Sequence, residues 1–409
     1  MAHEQNPQDT QNPQELPKVE LRAPEFTTPV KLVSHALALT EAVAHLESLS
    51  QVAIDLESDS LYHYYDKVCL IQISGGGVDY IVDPLALKDL SPLAEILADR
   101  RIEKIFHAAD NDVALLHRCL GLETFQLFDT LVAAQLCGHR QFGLSFLLGH
   151  YFGLLLDKRL QRYDWSSRPL LPEHLAYARS DTHFLAELRS RLLEQVVALG
   201  REDILQEELL LLEQKRNSGR QFVAEDALKL QGAMALDMTG QRVLLELYQV
   251  RERLAKQDDL PPFRLITNEM LVGMAGQPVR GLRELYGLPS LAPRVIKKYG
   301  TELLGAFQRG RASTSPLPVP PPPRPRPVHA AEIEARFQML KRWRQKVAEV
   351  ENLELAVVAS NQMLMIVATA NPASMGELEA LPHLRRWQVR RFGPAWLETL
   401  KKTNRGQGG

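Results

Sequence analysis

Hydrophobic positions in the first half of the chain form short runs that are separated by polar or glycine-rich segments. The run Val52-Ala53-Ile54 passes into an alternation of Asp55, Leu56 and Glu57, which predicts a strand whose two acids share one face. Two further β-type runs flank three consecutive glycines, and this arrangement predicts a hairpin. The predicted elements are strands over 52–57, 67–73, 78–83 and 103–107, and helices that begin near residues 113 and 172.

The second half of the chain has a helical pattern and contains an internal repeat with a constant shift of 93 residues. Apolar segments are broken by Pro and Gly, as in a small domain of several short helices. One ungapped shift that relates this many positions indicates two copies of the same domain. The matching positions are Leu247 and Leu340, Arg251 and Arg344, Ala255 and Ala348, residues 268–271 and 361–364, Leu285 and Leu378, residues 288–289 and 381–382, and residues 296–300 and 389–393.

Composition limits the class of protein without changing this organisation. A chain of 409 residues is long enough for two to four domains. No apolar run approaches the length of a membrane span, and the Gln-, Pro- and Asn-rich start lacks a signal-peptide pattern, so we expect a disordered tail there. Cys69, Cys119 and Cys137 are odd in number and widely spaced, which disfavours a disulfide framework or a zinc site and fits a reducing cytoplasm.

The net charge of −2 conceals an uneven distribution of charged residues. Residues 316–409 carry 14 Lys and Arg against 8 Asp and Glu, a net charge of +6, which leaves −8 for the rest of the chain. A basic C-terminal region can hold phosphates, although solubility alone also explains a modest excess. Residues 316–327 are proline-rich and basic, which predicts a stiff, extended spacer between the two copies; an SH3-type ligand is the less favoured interpretation.

Four acidic residues and one tyrosine form the candidate active site. An acid-x-acid triplet such as Asp55-Leu56-Glu57 is uninformative alone, because about six are expected by chance in a chain of this acidity. Tyr177 and Asp181 are four residues apart on a predicted helix, so these two side chains also share a face. Together with a third acid near residue 112, the set supplies oxygen ligands suited to two hard divalent cations, an arrangement that cleaves phosphodiester bonds.

The position of the third acid is ambiguous from the residues alone. The predicted strand that ends at His107 is followed by Asp110-Asn111-Asp112 and then by the apolar start of a helix. Asp110 or Asn111 could be the N-cap of that helix, which leaves more than one candidate for a functional carboxylate. His107 fits a structural or supporting role better than a metal-ligand role.

The order and spacing of these residues resemble the DEDD exonuclease superfamily, in its variant with a tyrosine four residues before the last aspartate. In that family the third acid lies five residues after a histidine, which selects Asp112. Further motifs resemble the ribonuclease D branch, with Tyr163 where serine is usual in the family. These motifs are residues 127–130, Asp157-Lys158, Asp164-Trp165 and residues 168–170.

The internal repeat resembles the HRDC domain, which occurs at the C-termini of ribonuclease D and RecQ-type helicases. The first copy keeps the fuller pattern, including Pro261-Pro262-Phe263-Arg264, whereas the second copy lacks that segment. The resemblance implies an α/β fold, with a ribonuclease H-like mixed β-sheet flanked by helices, followed by two small all-α HRDC domains. The expected division is a disordered tail over 1–25, a 3′-5′ exonuclease domain over 26–205, a connecting helix over 206–235, HRDC domain 1 over 236–312, a Pro-rich linker over 313–330 and an HRDC-like domain 2 over 331–409.

The same resemblance implies 3′-to-5′ exoribonuclease activity that trims RNA 3′ ends, tRNA precursors among them, and releases nucleoside 5′-monophosphates. Asp55, Glu57, Asp112 and Asp181 would hold two divalent ions, Mg²⁺ or Mn²⁺ rather than Zn²⁺, and Tyr177 would orient the attacking water. The resemblance also implies a set of residues that contact nucleic acid. Each of them has a competing interpretation without such a contact, namely core packing, structural support or a solvated charge. These residues are Leu56, His107, Lys158, Trp165, Arg168, Lys297 and Lys298.

Two other functions remain open at this point. A DNA 3′-to-5′ exonuclease would use the same chemistry, because the choice between RNA and DNA depends on contacts to the 2′-hydroxyl. A catalytically silent RNA-binding scaffold would use the fold and the basic repeats, although the presence of all four carboxylates argues against it. The expected partner is RNA with a free 3′ end, with neither a membrane nor an obligate protein partner, and the expected location is the cytoplasm.

Overall fold

The computed structural model describes residues 21–216, 219, 221–288, 291–317 and 329–405. Six strands in this part form one mixed sheet: β1 (Val30–Val33), β2 (Gln51–Ser58), β3 (Val68–Gly75), β4 (Val78–Val82), β5 (Glu103–Phe106) and β6 (Leu127–Asp129). Their order across the sheet is β1-β4-β3-β2-β5-β6. β3 pairs antiparallel with β4, which confirms the predicted hairpin, and β2 pairs antiparallel with β3 and parallel with β5. The α/β class expected from the sequence is confirmed.

Helices cover both faces of the sheet and make up the rest of the described chain. In the α/β part they are α1 (Ala36–Leu46), α2 (Pro92–Ala98), α3 (Asp110–Leu120), α4 (Thr130–Leu136), α5 (Leu144–Phe152), α6 (Pro172–His183), α7 (Leu185–Ala198) and α8 (Glu202–Glu213). The first repeat copy has 3₁₀ helices at Ala224–Lys229 and Ala233–Ala235, then α9 (Met238–Gln257), α10 (Pro262–Leu265), α11 (Asn268–Ala275), α12 (Leu282–Leu285) and α13 (Pro293–Ala312). The second copy has α14 (Ala330–Val350), α15 (Leu355–Val358), α16 (Asn361–Ala370), α17 (Met375–Glu379) and α18 (Arg386–Arg405).

The alternation of β2 divides the core between the two faces of the sheet. Ile54 and Leu56 join a buried cluster with α1, α2 and α3, whereas Ala53 joins the cluster on the opposite face with α4 and α7. On that opposite face, α6 buries Ala178 against Leu70 of β3. Side chains of a strand alternate between faces, so Asp55 and Glu57 emerge on the face that carries α6.

The repeat predicted from the 93-residue shift is confirmed, and the two copies share an equivalent buried hydrogen bond. In each copy an arginine of the long first helix is buried and binds the asparagine that begins a later helix. Arg251 donates to Asn268 Oδ1 at 2.9 Å, and Arg344 donates to Asn361 Oδ1 at 2.9 Å. The same buried contact at both positions shows that the two copies share one helical fold.

Two boundaries expected from the sequence need correction. Residues 21–25, expected to belong to the disordered tail, are part of the described structure, and Arg22 N donates to the Gly153 carbonyl oxygen of the α/β part at 2.9 Å. The connecting helix expected over 206–235 stops at Glu213, whose carboxylate accepts hydrogen bonds from the backbone of Gln126 and Leu127. Helix α8 therefore closes the edge of β6 instead of spanning to the repeats. Residues 1–20, and residues 318–328 of the expected linker, lie outside the described residues.

Both repeat copies pack on the α/β part of the molecule. In the second copy, Trp387 is 2 % exposed and its Nε1 donates to Glu208 of α8 at 2.8 Å. In the first copy, Asp259 accepts hydrogen bonds from the backbone of Tyr64 and Tyr65 in the loop after β2, at 3.0 and 3.1 Å. The helices described here include none with the length and apolarity needed to cross a bilayer.

Candidate active site

The predicted carboxylates come from three elements that meet near one end of β2. Asp55 and Glu57 lie on this interior strand, directly opposite Gln72 and Leu70 of β3. Helix α6, which begins at Pro172 as the sequence predicted, packs on the same face and carries Asp181. Asp112 is the third residue of α3, and the parallel pairing of β5 with β2 brings this helix start to the same end of the sheet.

Three of the carboxylates converge directly. One oxygen from each of Asp55, Glu57 and Asp181 lies within 4.8 Å of the other two. Asp112 is outside this group, but its charge acts on Glu57, and the two residues line one cavity beside α3. The structure therefore brings the set together with Asp112 at its edge.

The converging carboxylates open into a cleft of about 580 Å³, which we call the carboxylate cleft. Its lining includes Asp55, Glu57, Tyr177 and Asp181, together with His107, Gln141, Lys158 and Gln161. Tyr177 stands one helical turn before Asp181 and packs against Trp165, with 5.7 Å between the ring centroids. A substrate that enters this cleft meets the tyrosine and the carboxylates together.

Asp129, to which sequence reasoning assigned no role, holds the loop that leads to Asp112. Its carboxylate accepts hydrogen bonds from the backbone N–H groups of Ala108 at 3.0 Å and Ala109 at 2.9 Å. Ala108 has φ 65°, a left-handed conformation that is uncommon for alanine, so these bonds stabilise an otherwise costly loop. The N-cap position of α3 is Ala109, so the alternative that Asp110 or Asn111 caps this helix does not apply. The only sequence signal for Asp129 was its place in the ribonuclease D-like motif 127–130.

His107 is fixed as a neutral ring at the wall of the cleft. Its Nδ1 lies 2.9 Å from Thr130 Oγ1, and that hydroxyl donates to the Phe106 carbonyl oxygen at 3.0 Å. Because the hydroxyl proton is used there, His107 donates through Nδ1 and keeps Nε2 as an acceptor. Burial lowers the pKa of His107 to about 4, so the ring adds no charge to the cleft at neutral pH.

Burial raises the pKa of every carboxyl group in the site. For Asp55 burial is the main cause, and it raises the pKa to about 7. For Glu57 burial comes first and the charges of Asp55, Asp181 and Asp112 follow, so its pKa lies well above the usual range. The pKa values of Asp112 and Asp181 are raised by burial and then by the charge of Asp55. Four buried acids with raised pKa values form a site whose negative charge a bound cation would offset.

The residues of the site fit divalent cations. No Lys or Arg in the described part of the chain forms an ion pair with Asp55, Glu57, Asp112 or Asp181, although buried carboxylates are normally paired or bound to a metal. The group within 4.8 Å contains only carboxylate ligands, with neither imidazole nor thiolate. Oxygen-only ligand sets favour hard cations such as Mg²⁺ and Mn²⁺ over Zn²⁺.

The raised pKa of Asp55 gives a pH-dependent stability in metal-free protein. A carboxyl group whose pKa is higher in the folded state than in the unfolded state lowers the stability of the fold as the pH rises. For Asp55 this loss grows between its ordinary pKa of about 4 and its folded-state pKa of about 7. Thermal melts in EDTA should therefore show that Asp55→Asn gains stability over the wild type, with a gain that is larger at about pH 7.5 than at about pH 5. A gain that stays constant or shrinks with rising pH would contradict the shift.

Several residues expected to contact nucleic acid are engaged elsewhere. Trp165 is 1 % exposed and supports Tyr177, and Arg168 donates to both carboxylate oxygens of Asp83 at 2.7 Å. The burial of Trp165 excludes direct contact for that residue, whereas the Arg168 side chain is 27% exposed and its contact with nucleic acid stays a prediction. Leu56 is 8 % exposed and belongs to the core, which is the alternative interpretation given above.

The predicted lysines differ in their relation to the site. Lys158 is exposed and lines the carboxylate cleft, so it stays a candidate contact. Lys297 is exposed on α13, and Lys298 on the same helix pairs with Asp258. Neither lysine lines the two cavities at the carboxylates, so their contact with RNA stays a prediction. Gln161 lines both of those cavities, and the sequence analysis did not identify it.

Comparisons with known proteins agree with this geometry. A family described as 3′-5′ exonuclease matches residues 30–197, and the HRDC domain family matches residues 240–306 and 333–400. Ribonuclease D of Desulfotalea psychrophila is 30% identical over 281 residues, which make up 68% of this chain and 75% of that protein. An exosome complex component 10 homolog of Caenorhabditis elegans is 28% identical over 304 residues, 71% of this chain but 34% of that protein. The chain thus spans about a third of the length of such longer relatives.

A solved structure extends the similarity to the whole architecture. The crystal structure of Escherichia coli RNase D, described as an exoribonuclease involved in structured RNA processing, superposes with a TM-score of 0.67 at 25% identity. The superposition covers 91% of this chain and 99% of that one, so it includes the sheet and both repeat copies. With the sequence match to a ribonuclease D over two thirds of both proteins, the chain belongs to the ribonuclease D family of DEDD 3′-5′ exonucleases.

Proposed function

We propose that this protein is a 3′-to-5′ exoribonuclease that hydrolyses the terminal phosphodiester bond of RNA and releases nucleoside 5′-monophosphates. The observation that carries the proposal is the convergence of Asp55, Glu57 and Asp181 within 4.8 Å beside Tyr177, in a cleft open to solvent. Membership of a 3′-5′ exonuclease family supports the polarity, and the similarity to ribonuclease D supports RNA as the substrate.

Two divalent cations, Mg²⁺ or Mn²⁺, complete the proposed site. Asp55, Glu57 and Asp181 would hold one ion, and Asp55 with Asp112 would hold the second. Bound cations of this kind supply electrostatic stabilisation of the charge that develops on the attacking and leaving oxygens. The protein contributes four fixed carboxylates, of which Asp112 is aligned by the bonds of Asp129 to the preceding loop.

Tyr177 keeps its proton in this environment. Burial, followed by the charges of Asp181, Glu57 and Asp55, raises the pKa of the Tyr177 hydroxyl above its ordinary value. A neutral hydroxyl can orient a water molecule for attack on the scissile phosphate, but it is a poor base. Trp165 behind the ring fixes where that hydroxyl points.

Tyr177→Phe should lower the rate of cleavage about 10²–10⁴-fold, because it removes the hydroxyl and leaves the ring packing on Trp165 intact. The measurement is single-turnover cleavage at saturating RNA, with RNA affinity determined separately. Tyr286→Phe, an exposed tyrosine on the first repeat copy, serves as the matched control and should behave as the wild type. Weakened affinity with normal single-turnover cleavage would make Tyr177 a substrate-binding residue instead.

The proposed substrate is RNA with a free 3′ end, with tRNA precursors among the candidates. The support is the similarity to an Escherichia coli enzyme described as acting in structured RNA processing. All three cysteines carry free thiols, which supports the cytoplasm as its location.

The test is incubation of 5′-labelled RNA and DNA oligomers of one sequence with the protein and Mg²⁺ or Mn²⁺. We expect a ladder of progressively shortened RNA, with DNA degraded more slowly. Equal or faster degradation of DNA would favour a DNA exonuclease, because the carboxylates act on either backbone. Intact RNA and DNA with both metals would leave an RNA-binding scaffold.

A further inference from the structure

A groove of about 1090 Å³ lies between the loop that follows β2 and the first repeat copy. The α/β part contributes Tyr65, Lys67, Leu85 and Arg118, and the repeat contributes Lys256 and Phe263. We call this the aromatic groove. Sequence reasoning noted residues 261–264 as part of the HRDC-like pattern but gave them no role.

The aromatic groove is continuous with the carboxylate cleft. The cleft shares Glu57 and Gln161 with the cavity beside α3. That cavity in turn shares Ser60, Asp66 and Arg118 with the aromatic groove. The three cavities therefore follow one another from the carboxylates to the first repeat copy.

The lining of the aromatic groove combines exposed rings with a cation. Tyr65 is 61% exposed and Phe263 is 51% exposed, and both rings line the same groove. Lys67 pairs with Asp59 at 2.9 Å and Arg118 pairs with Asp66, which leaves Lys256 as the cation of this groove that has no ion pair among the described residues. Rings that stack on bases, next to cations that attract phosphates, are the features by which proteins bind single-stranded nucleic acid.

The two rings are held on fixed backbone. Asp259 of the repeat accepts hydrogen bonds from Tyr64 N and Tyr65 N, and lies 2.8 Å from His63 Nδ1. Phe263 belongs to α10, and the neighbouring Arg264 guanidinium lies 4.0 Å from the centre of a tyrosine ring in the same loop. Surfaces prepared in this way lose less entropy when a strand binds.

We propose that the aromatic groove binds the single-stranded RNA that lies upstream of the 3′ end, with bases stacked on Tyr65 and Phe263 and phosphates near Lys256. The proposal rests on the proposed function, because the occupant is identified by the continuity of the groove with the carboxylate cleft. It gives the first repeat copy a defined part in substrate binding, at residues other than Lys297 and Lys298.

The test compares kcat/KM on a roughly 16-nucleotide oligo(A) and on a dinucleotide, which is too short to extend far from the cleft. For Tyr65→Ala and Phe263→Ala, the ratio of the long to the short substrate should fall about 10-fold or more, because stacking of one base is lost. Tyr286→Ala removes an equally exposed tyrosine of the first copy and should keep the wild-type ratio. All three positions are exposed, so each variant should retain the wild-type melting temperature.

The outcomes separate this proposal from the proposed function. If wild-type protein degrades RNA and the ratio is the same in Tyr65→Ala, Phe263→Ala and Tyr286→Ala, the aromatic groove does not bind RNA and the exonuclease assignment stands. If the ratio falls equally in all three variants, the loss is not specific to the groove and the proposal also fails. If wild-type protein degrades neither substrate, the proposed function itself is wrong.

Discussion

Asp55→Asn is expected to reduce RNA cleavage about 10³-fold or more while the protein stays folded, because cation stabilisation of the transition state is worth several kcal/mol and each 1.4 kcal/mol is tenfold in rate. Asp55 is central in the cluster: it belongs to the group within 4.8 Å, and its charge acts on Glu57, Asp112 and Asp181. The measurement is the initial rate of mononucleotide release with saturating Mg²⁺, with circular dichroism as the check on folding.

The neighbouring acids Asp110 and Asp112 give this experiment a matched pair. Asp110 is exposed and pairs with Lys215, whereas Asp112 faces the cavity that it shares with Glu57. Asp112→Asn should therefore lose activity and Asp110→Asn should retain it. A folded Asp55→Asn variant with near-wild-type activity would remove the cluster from the mechanism, and a larger loss at Asp110 than at Asp112 would show that the third acid was assigned to the wrong residue.

Trp387→Ala is expected to destabilise the protein by about 3–5 kcal/mol, the usual cost of emptying a site filled by a large buried aromatic side chain. Trp387 is 2 % exposed, its backbone N–H donates to Glu207 at 3.0 Å, and its indole donates to Glu208 at 2.8 Å. The substitution removes the packing of the Trp387 ring on α8, and it also removes the indole N–H that donates to the Glu208 carboxylate. Val350→Ala, at a position of the same copy that is 85% exposed, should shift the melting temperature little.

Calorimetry shows whether the second copy is structurally joined to the α/β part. We expect Trp387→Ala to lower the unfolding temperature of the α/β part as well, because buried residues of both belong to one apolar cluster. An unchanged α/β transition would mean that the second copy is an independent module. Arg390 and Arg391, which the 93-residue shift aligns with Lys297 and Lys298, pair with Glu207 and Glu351 at 3.4 and 2.7 Å. Truncation of this copy would therefore disturb the fold as well as any RNA binding.

Much of the site was visible in the sequence because each part is local. Asp55 and Glu57 alternate on one strand, and Tyr177 and Asp181 are one helical turn apart, so spacing alone places each pair on a face. The repeat was equally visible, because a constant shift relates positions such as Arg251 and Arg344 whatever the fold is.

The features that were missed depend on contacts between residues far apart in the chain. Strand β6 has only three residues, so its pattern did not reveal that Asp129 closes the loop at Ala108 and Ala109. Trp165 and Arg168 belong to motifs that predicted contacts with nucleic acid. The tertiary structure buries Trp165 and pairs Arg168 with Asp83. The contact of Trp387 with Glu208 spans 179 residues, and no local spacing rule covers such a distance.

The central claim is that the carboxylate cluster removes nucleotides from a free 3′ end. It is tested most directly with one RNA sequence prepared as a linear strand with a 3′-hydroxyl, as a linear strand with a 3′-phosphate and as a circle, each incubated with protein and Mg²⁺. We expect rapid release of nucleoside 5′-monophosphates from the first, much slower release from the second and no cleavage of the circle, all of it absent in Asp55→Asn. Oligonucleotides cut from the circle, or mononucleotide release that persists in Asp55→Asn, would contradict the account.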